Sequence, residues 1–420
     1  MKPSSGKLQA GKSQAWVLIF LGWLVYTTSY LGKVNYSANI TQIIDFYGVT
    51  KAQAGAVPTF FFFAYGVGQF FNGAFCKKYN IKWVIFGSML VSGIINLVIG
   101  VSSDFAIVKW LWMVNGFVMS VLWPTLVRLL SESLPKKSLS TSSVTMGTTV
   151  ATGTLVIYGL SSVYATFHKF KLSFYTAGFA IILVAFVWLL VYGKAVYTAK
   201  KEKDAEAMEE TVETKETETR QEQSGEQKLF FATICILCFC AVGIKLIKDG
   251  LTTWVPSILK EEFKMSDSIS ILLTLFLPII AIFGNLFALT LHKRIPDYVH
   301  HCALIFAIMG VLIGMIIGSL SLGIMILMLA GLVTVNFLAS SLNSLTTSIF
   351  PLFMREKVSS GGFAGLVNGF AYLGSTLSAY GLGVIADHFG WTAVFWTLIG
   401  CCVLVCIVWC GYVWMKHTAK

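Results

Sequence analysis

The stretch KEKDAEAMEETVETKETETRQEQSGEQK at residues 201–228 decides how this chain is organised, because almost nothing in it is apolar while nearly everything on either side is. Roughly 20 apolar residues are needed to cross a hydrocarbon core of about 30 Å. Six runs of that order precede the stretch, near 14–43, 53–76, 82–101, 104–131, 142–166 and 173–194. Six more follow it, near 229–259, 268–291, 299–319, 322–347, 359–385 and 391–414. Backbone amides cannot stay unpaired in hydrocarbon, so every run is expected to be a helix. The reading is an all-α membrane protein of twelve transmembrane helices in two pseudo-symmetric six-helix halves. Residues 1–13 form a tail and 14–194 the first half. Residues 195–228 form a charged linker, expected as a solvated tether with an amphiphilic surface helix as the alternative, with 229–414 as the second half and 415–420 as a second tail.

Composition agrees. Of the 420 residues 56% are hydrophobic and only 12% are charged, about half the charge of a soluble domain. The formal charge of +11 resembles a nucleic-acid signature, but its placement argues otherwise. With the N-terminus inside, 22 of the 31 Lys and Arg residues fall on cytoplasmic loops and flanks, so the charge sets topology. This predicts a multi-pass protein of the bacterial inner membrane with both termini cytoplasmic and helix 1 retained as an anchor. Its surroundings are lipid, nucleic acid is not a partner, and a monomer is expected. The nine cysteines lie almost entirely inside apolar runs without paired histidines and read as small buried residues, not metal ligands or disulfides. No nucleophile–base pair, metal cluster or phosphate-cradling glycine loop appears, which excludes an enzyme and calls for no cofactor.

The informative residues are charges inside the runs. A lysine near a helix centre costs about 2.5–3.5 kcal/mol to insert, so such residues are usually paired or functional. Lys33 and Lys248 stand at equivalent depth in the first runs of the two halves, and pseudo-symmetry places them on facing walls of one cavity. On helix 1, Tyr26, Tyr30 and Lys33 follow i, i+4, i+7 spacing and share one stripe. Lys245 and Asp249 are i, i+4 and are expected to pair, leaving Lys248 uncompensated. Two free cations match the −1.5 to −2 charge of a phosphate monoester. Asp249 is the one carboxylate well inside a run, and this scarcity of proton-carrying groups favours exchange of one anion for another.

Two six-helix halves joined by a cytoplasmic linker resemble the major facilitator architecture. Within it, Tyr26-x3-Tyr30-x2-Lys33-x-Asn35 and Lys248-x-Gly250-x3-Trp254-x-Pro256 resemble the helix-1 and helix-7 signatures of the organophosphate:phosphate antiporters, with lysine where that family carries arginine. Tyr65-Gly66-x2-Gln69, Asn115-Gly116 with Trp123-Pro124 and Arg128, Gly369-x2-Tyr372-x-Gly374 and Asp387-x2-Gly390-Trp391 are similar to further motifs of the same family. The resemblance implies alternating-access exchange of a small phosphate ester for inorganic phosphate, with Lys33 and Lys248 neutralising the anion, Tyr26 and Tyr30 orienting it, and Lys245, Gln69 and Trp254 lining the cavity. It also implies a gating loop between helices 2 and 3, here Lys77, Lys78, Asn80 and Lys82, without the aspartate that relatives use there. Lysine offers a point charge where arginine offers a planar fork, so two alternatives stay open: uptake of a carboxylate or sugar-acid anion, and a transporter-like sensor.

Overall fold

The computed structural model describes residues 6–75, 78, 80–209, 224–294, 297–350 and 360–418. The described residues form α1 Gly6–Ala38, α2 Ile40–Tyr47, α3 Lys51–Phe75, α4 Ile81–Val101, α5 Phe105–Met119, α6 Leu122–Ser133, α7 Lys136–Gly147 and α8 Thr149–Thr166. They continue with α9 Lys171–Glu209, α10 Ser224–Phe263, α11 Asp267–Thr274, α12 Phe276–Arg294, α13 Tyr298–Ser321, α14 Met325–Ser344 with a π turn at Leu345–Ile349, and α15 Ser360–Thr418.

Eleven segments are long and apolar enough to cross a membrane, and the last, Leu366–Lys416, has 51 residues. That is more than twice the length one crossing needs. It is divided at Gly390, whose φ of 76° and ψ of 178° only glycine adopts without strain. Twelve crossings result: α1–α2, α3, α4, α5–α6, α7–α8 and α9 are spans 1–6, and α10, α11–α12, α13, α14 and the two limbs of α15 are spans 7–12. The side bearing the start of span 1 and the end of span 12 is called the terminal face, and the opposite side the far face.

The described ends of the charged segment are helical, the alternative to a flexible tether. Helix α9 runs through the membrane and on to Glu209, and α10 begins at Ser224, so helix occupies both ends of the expected tether. Ala, Glu and Lys are strong helix formers, and a helix already nucleated in the bilayer extends into them at little cost. Residues 210–223 lie outside the described residues.

The breaks inside spans have a common cause. Proline lacks an N–H and its ring crowds the carbonyl four residues back, so that carbonyl loses its helical donor. Pro124 coincides with the interruption at Ser120–Val121 and Pro278 with the one at Leu275. Pro58 and Pro256 sit inside continuous helices. Three of the freed carbonyls receive a side-chain donor. Tyr36 Oη donates to Ala54 O at 3.0 Å, Gln69 Nε2 to Ser120 O at 2.9 Å, and Tyr158 Oη to Thr252 O at 3.2 Å. A further buried network holds spans 1, 3 and 4 together: Asn35 Nδ2 donates to Asn96 Oδ1, Asn115 Nδ2 to Gly32 O, and Ser92 Oγ to Asn115 Oδ1.

The halves meet along spans 2 and 11 and along spans 5 and 8. Span 2 lies so close to span 11 that a Cβ on Gly55 would overlap the Ala379 carbonyl. Among the described residues, polar crossings between halves cluster toward the far face. Thr59 Oγ1 donates to Thr376 O and accepts from Tyr380 N, while Ser162 and Thr166 bond Ser268.

If Tyr36 answers the carbonyl that Pro58 frees, Tyr36→Phe leaves a buried acceptor unmet and costs about 1–3 kcal/mol. Adding Pro58→Ala restores the helical N–H, so the double variant should melt close to wild type in detergent. Additive losses in the double variant would disprove the pairing.

Candidate functional site

Lys33 sits on span 1 two turns beyond Tyr26, and its ammonium lies in a cage of aromatic faces. Its Nζ is 4.1 Å from the Tyr65 ring centroid, 4.9 Å from Tyr30, 5.6 Å from Tyr372 and 5.8 Å from Phe61. Rings at these distances attract a cation through their quadrupoles, which offsets part of the hydration lost in the membrane. Tyr65 is on span 2 and Tyr372 on span 11, with ring centroids 4.7 Å apart, so the cage is built from both halves. Tyr26 is buried deeper, 4.8 Å from Trp123 and edge-on to Tyr30 at 5.4 Å.

On span 7, Lys245 Nζ reaches Asp249 at 2.9 and 3.2 Å, closing the i, i+4 pair. Ser375 of span 11 donates its hydroxyl to the same carboxylate. Lys245 also lies 5.5 Å from the Tyr372 ring, so one ring contacts ammoniums from both halves. The cation that shares a ring with Lys33 is therefore Lys245. Lys248 stands one turn further, its ammonium outside hydrogen-bond and ion-pair range of the described residues, beside Thr252, whose carbonyl receives Tyr158 from span 5. Tyr30, Lys33, Lys245, Lys248 and Asp249 all keep partial exposure, which means they border internal space. Three ammoniums and one carboxylate, +3 and −1, leave this wall at a formal +2. It offers cations, phenols and a hydroxyl, a donor set suited to an oxyanion.

Two expected cavity residues are placed differently. Gln69 is buried; its amide donates to the Ser120 carbonyl that Pro124 frees, and its side chain also hydrogen-bonds Tyr65 of the Lys33 cage. Trp254 is buried too. Its Nε1 donates to Ala379 O at 3.1 Å, its ring packs on Trp391 at 5.7 Å, and it fills the gap that Gly55 and Gly383 leave. A bulky indole that finds both a matched gap and an acceptor is held as packing, so Trp254 seals the far side of the site. In the expected gating loop, Lys77 lies outside the described residues. Lys78 stacks on Phe75 at 5.5 Å and Lys82 on Trp83 at 5.7 Å, while Asn80 precedes α4 without a side-chain cap. Lys78, Asn80 and Lys82 form no ion pair among the described residues.

Tyr65, Tyr372, Phe61 and Ser375 were not among the residues read as lining the cavity. Their signal was present as polar spacings, Tyr65-x3-Gln69 on span 2 and Tyr372-x2-Ser375 on span 11. Only the crossing of spans 1, 2, 7 and 11 brings them to one place.

At the far face, charges tie the halves together. Lys51 Nζ of span 2 is 3.1 Å from Glu261 Oε2 of span 7, and Glu261 also accepts Trp391 Nε1 at 2.9 Å. Asp387, at the end of span 11, accepts the backbone N–H groups of Lys51 and Ala52 at 3.1 and 2.6 Å, capping a helix of the opposite half. Lys260 bridges Asp45 of the first half and Asp267 of its own.

The sequence profile of the Major Facilitator Superfamily matches residues 22–364. The chain is 23% identical over 417 residues to a probable hexose phosphate transport protein of Chlamydia trachomatis serovar D, covering 93% of this chain and 88% of the relative. It is 23% identical over 386 residues to sugar phosphate exchanger 3 of Homo sapiens, covering 82% and 76%. A shorter match, 27% over 109 residues, joins 26% of this chain to 25% of the membrane sensor protein UhpC of Escherichia coli K12. Among solved structures, a bacterial homologue of the human lysosomal transporter Spinster, inward-facing and occupied, superposes with a TM-score of 0.72 at 14% identity over 96% of this chain and 97% of that one.

Removing the far-face ties in a Glu261→Gln, Asp387→Ala variant should shift the closed-to-open ratio by about 5- to 30-fold, the equivalent of roughly 1–2 kcal/mol. Spin labels at Gln53 and His388, both exposed on the far face, read this as a second, longer distance. An unchanged distance distribution would assign closure to helix packing alone.

Proposed function

The chain belongs to the Major Facilitator Superfamily and is a multi-pass membrane transporter, and we propose that it exchanges a small phosphate ester for inorganic phosphate. The observation that carries this reading is charge. Lys245 and Asp249 neutralise one another, while Lys33 and Lys248, one from each half, are left to meet a ligand. A phosphate monoester brings −1.5 to −2 and three acceptor oxygens, which satisfies both ammoniums at once. A monovalent anion satisfies only one.

The exchange requirement follows from the same arithmetic. With the site empty, the halves can approach only by bringing buried cations together in a medium of low dielectric constant, where repulsion is poorly screened. Bound dianion removes that cost and lets the halves rock about it. An empty carrier therefore returns slowly, and net flux needs an anion to travel back. Tyr30, Tyr65 and Tyr372 hold the Lys33 ammonium on ring faces between cycles, which are weaker partners than a phosphate oxygen and release it on binding. The distant relatives named for hexose phosphate and sugar phosphate agree with this cargo class.

Vesicles loaded with phosphate should take up labelled phosphate or a phosphate ester far faster than unloaded vesicles, and equal uptake would overturn exchange. Lys33→Gln or Lys248→Gln should weaken phosphate protection against thermal unfolding by about 30-fold or more, since a charge partner of a desolvated anion contributes roughly 2 kcal/mol or more. Lys245→Gln alone leaves Asp249 facing the anion and should be similarly impaired. The Lys245→Gln, Asp249→Asn double variant keeps the +2 count and should recover much of the binding. Protection by citrate-like or sugar-acid anions but not by phosphate would replace phosphate esters with carboxylates as the cargo.

A further inference from the structure

Away from the central site, spans 9 and 12 pack antiparallel at the terminal face, yet a groove of about 880 Å³ opens between them toward the lipid. Its walls are small by sequence: Ala303, Ala307 and Gly310 on span 9 face Cys402 and Cys406 on span 12. At the groove floor the helices nearly touch. Cys406 Sγ lies 3.9 Å from Ala303 O, and a Cβ on Gly310 would stand 3.4 Å from Cys402. Larger side chains flank the opening and point into hydrocarbon, with Val311 and Ile407 being 76% and 61% exposed.

Three features specify an occupant. The first is length. From His300 to Gly310 the groove follows ten residues of helix, about 15 Å, which is half of a hydrocarbon core of roughly 30 Å and so the depth of one leaflet. The second is an unmet donor. Trp409 lines the terminal-face end, its indole Nε1 is shielded, and no acceptor among the described residues reaches it. An indole N–H at this depth is usually bonded. The third is charge. His300 stands edge-on to Trp409 at 5.6 Å, with its Nδ1 3.1 Å from Asp297. Lys416 Nζ is 2.9 Å from Asp297, and exposed Arg294 lies three residues before it. Lys416 and His300 against the Asp297 carboxylate, with Arg294 exposed at the terminal-face end of span 8, put basic groups beside this end of the groove.

We propose that the groove between spans 9 and 12 is a binding site for an anionic phospholipid of the terminal-face leaflet, with one acyl chain lying along Ala303, Ala307 and Gly310. A rotation of the Trp409 indole, shielded in this conformation, brings its N–H to a glycerol-ester carbonyl. The phosphate sits among His300, Lys416 and Arg294. A basic mouth attracts an anionic headgroup and not a zwitterionic one, in the way that juxtamembrane lysines and arginines recruit acidic lipid. The site is separate from the anion-binding wall, so its occupancy is measurable without any transport assay.

Native mass spectrometry of the full chain, equilibrated in detergent with phosphatidylglycerol or with phosphatidylcholine, tests this. One phosphatidylglycerol per chain should survive, at about a tenfold preference or more. Ala307→Phe fills the groove from an exposed position and should abolish retention, whereas Ile326→Phe, 77% exposed on span 10, should not. Trp409→Phe keeps the ring and loses the N–H, and should weaken retention about 3- to 10-fold, the value of one hydrogen bond. Equal retention of the two lipids, retention unaffected by both Ala307→Phe and Trp409→Phe, or loss of lipid into a chain dimer would each overturn the proposal.

Discussion

Hydrocarbon contains no water, so every polar group carried into it has to find a partner inside the protein, and most of this molecule's particular contacts follow from that rule. The prolines make the rule visible. Each removes a donor from the carbonyl four residues back, and at Ala54, Ser120 and Thr252 the lost bond is replaced by a side chain of another helix, Tyr36, Gln69 and Tyr158 respectively. Two of these replacements knit the first half together. The third reaches from span 5 to span 7 and joins the halves beside Lys248, so a backbone defect becomes an interdomain contact next to the site.

Charges obey the same rule less completely. Asp249 is satisfied twice over, by Lys245 and by Ser375. Lys33 has only ring faces, and Lys248 has no hydrogen-bonding or ion-pairing group among the described residues. A fully paired site would gain little from a ligand, whereas one that keeps two cations short of partners gains on meeting a dianion. Tyr372 is central to this balance because its ring touches both Lys33 and Lys245, one from each half. Rocking of the halves as rigid bodies changes the Tyr372–Lys33 distance and leaves the Tyr372–Lys245 distance, which lies within one half, unchanged.

Among the described residues the two membrane faces are unlike. At the far face the halves share ion pairs, a helix cap supplied across the boundary by Asp387, and the Trp254–Trp391 contact. Toward the terminal face, spans 2 and 11 are held by apolar contacts, such as Phe70 against Gly369 and Tyr372 against Gly66. Polar ties are directional and fail together once displaced, while apolar surfaces slide, and this difference suits a molecule that closes at one end and opens at the other. The lipid-facing groove lies on span 9 and span 12 of the second half, within the leaflet on the more loosely tied side.

Composition and the spacing of apolar runs determined the twelve crossings, because a bilayer of given thickness demands about 20 apolar residues per helix whatever the tertiary contacts are. The Lys245–Asp249 pair was equally legible, since i, i+4 neighbours on a helix meet by local geometry alone. The Tyr26, Tyr30, Lys33 stripe was legible for the same reason. Gln69 and Trp254, read as lining the cavity, bond the Ser120 and Ala379 carbonyls, because a polar or aromatic residue on an inward face has two competing fates, ligand contact or a bond to a neighbour's backbone, and periodicity does not distinguish them. The polar spacings of Tyr65 with Gln69 and of Tyr372 with Ser375 marked inward faces without saying that these faces meet at Lys33 and Asp249, and no local pattern revealed that small residues on spans 9 and 12 would leave a leaflet-deep groove. Those outcomes depend on which helices cross and at what distance. Side-chain volumes and freed carbonyls on segments far apart in the chain set that jointly.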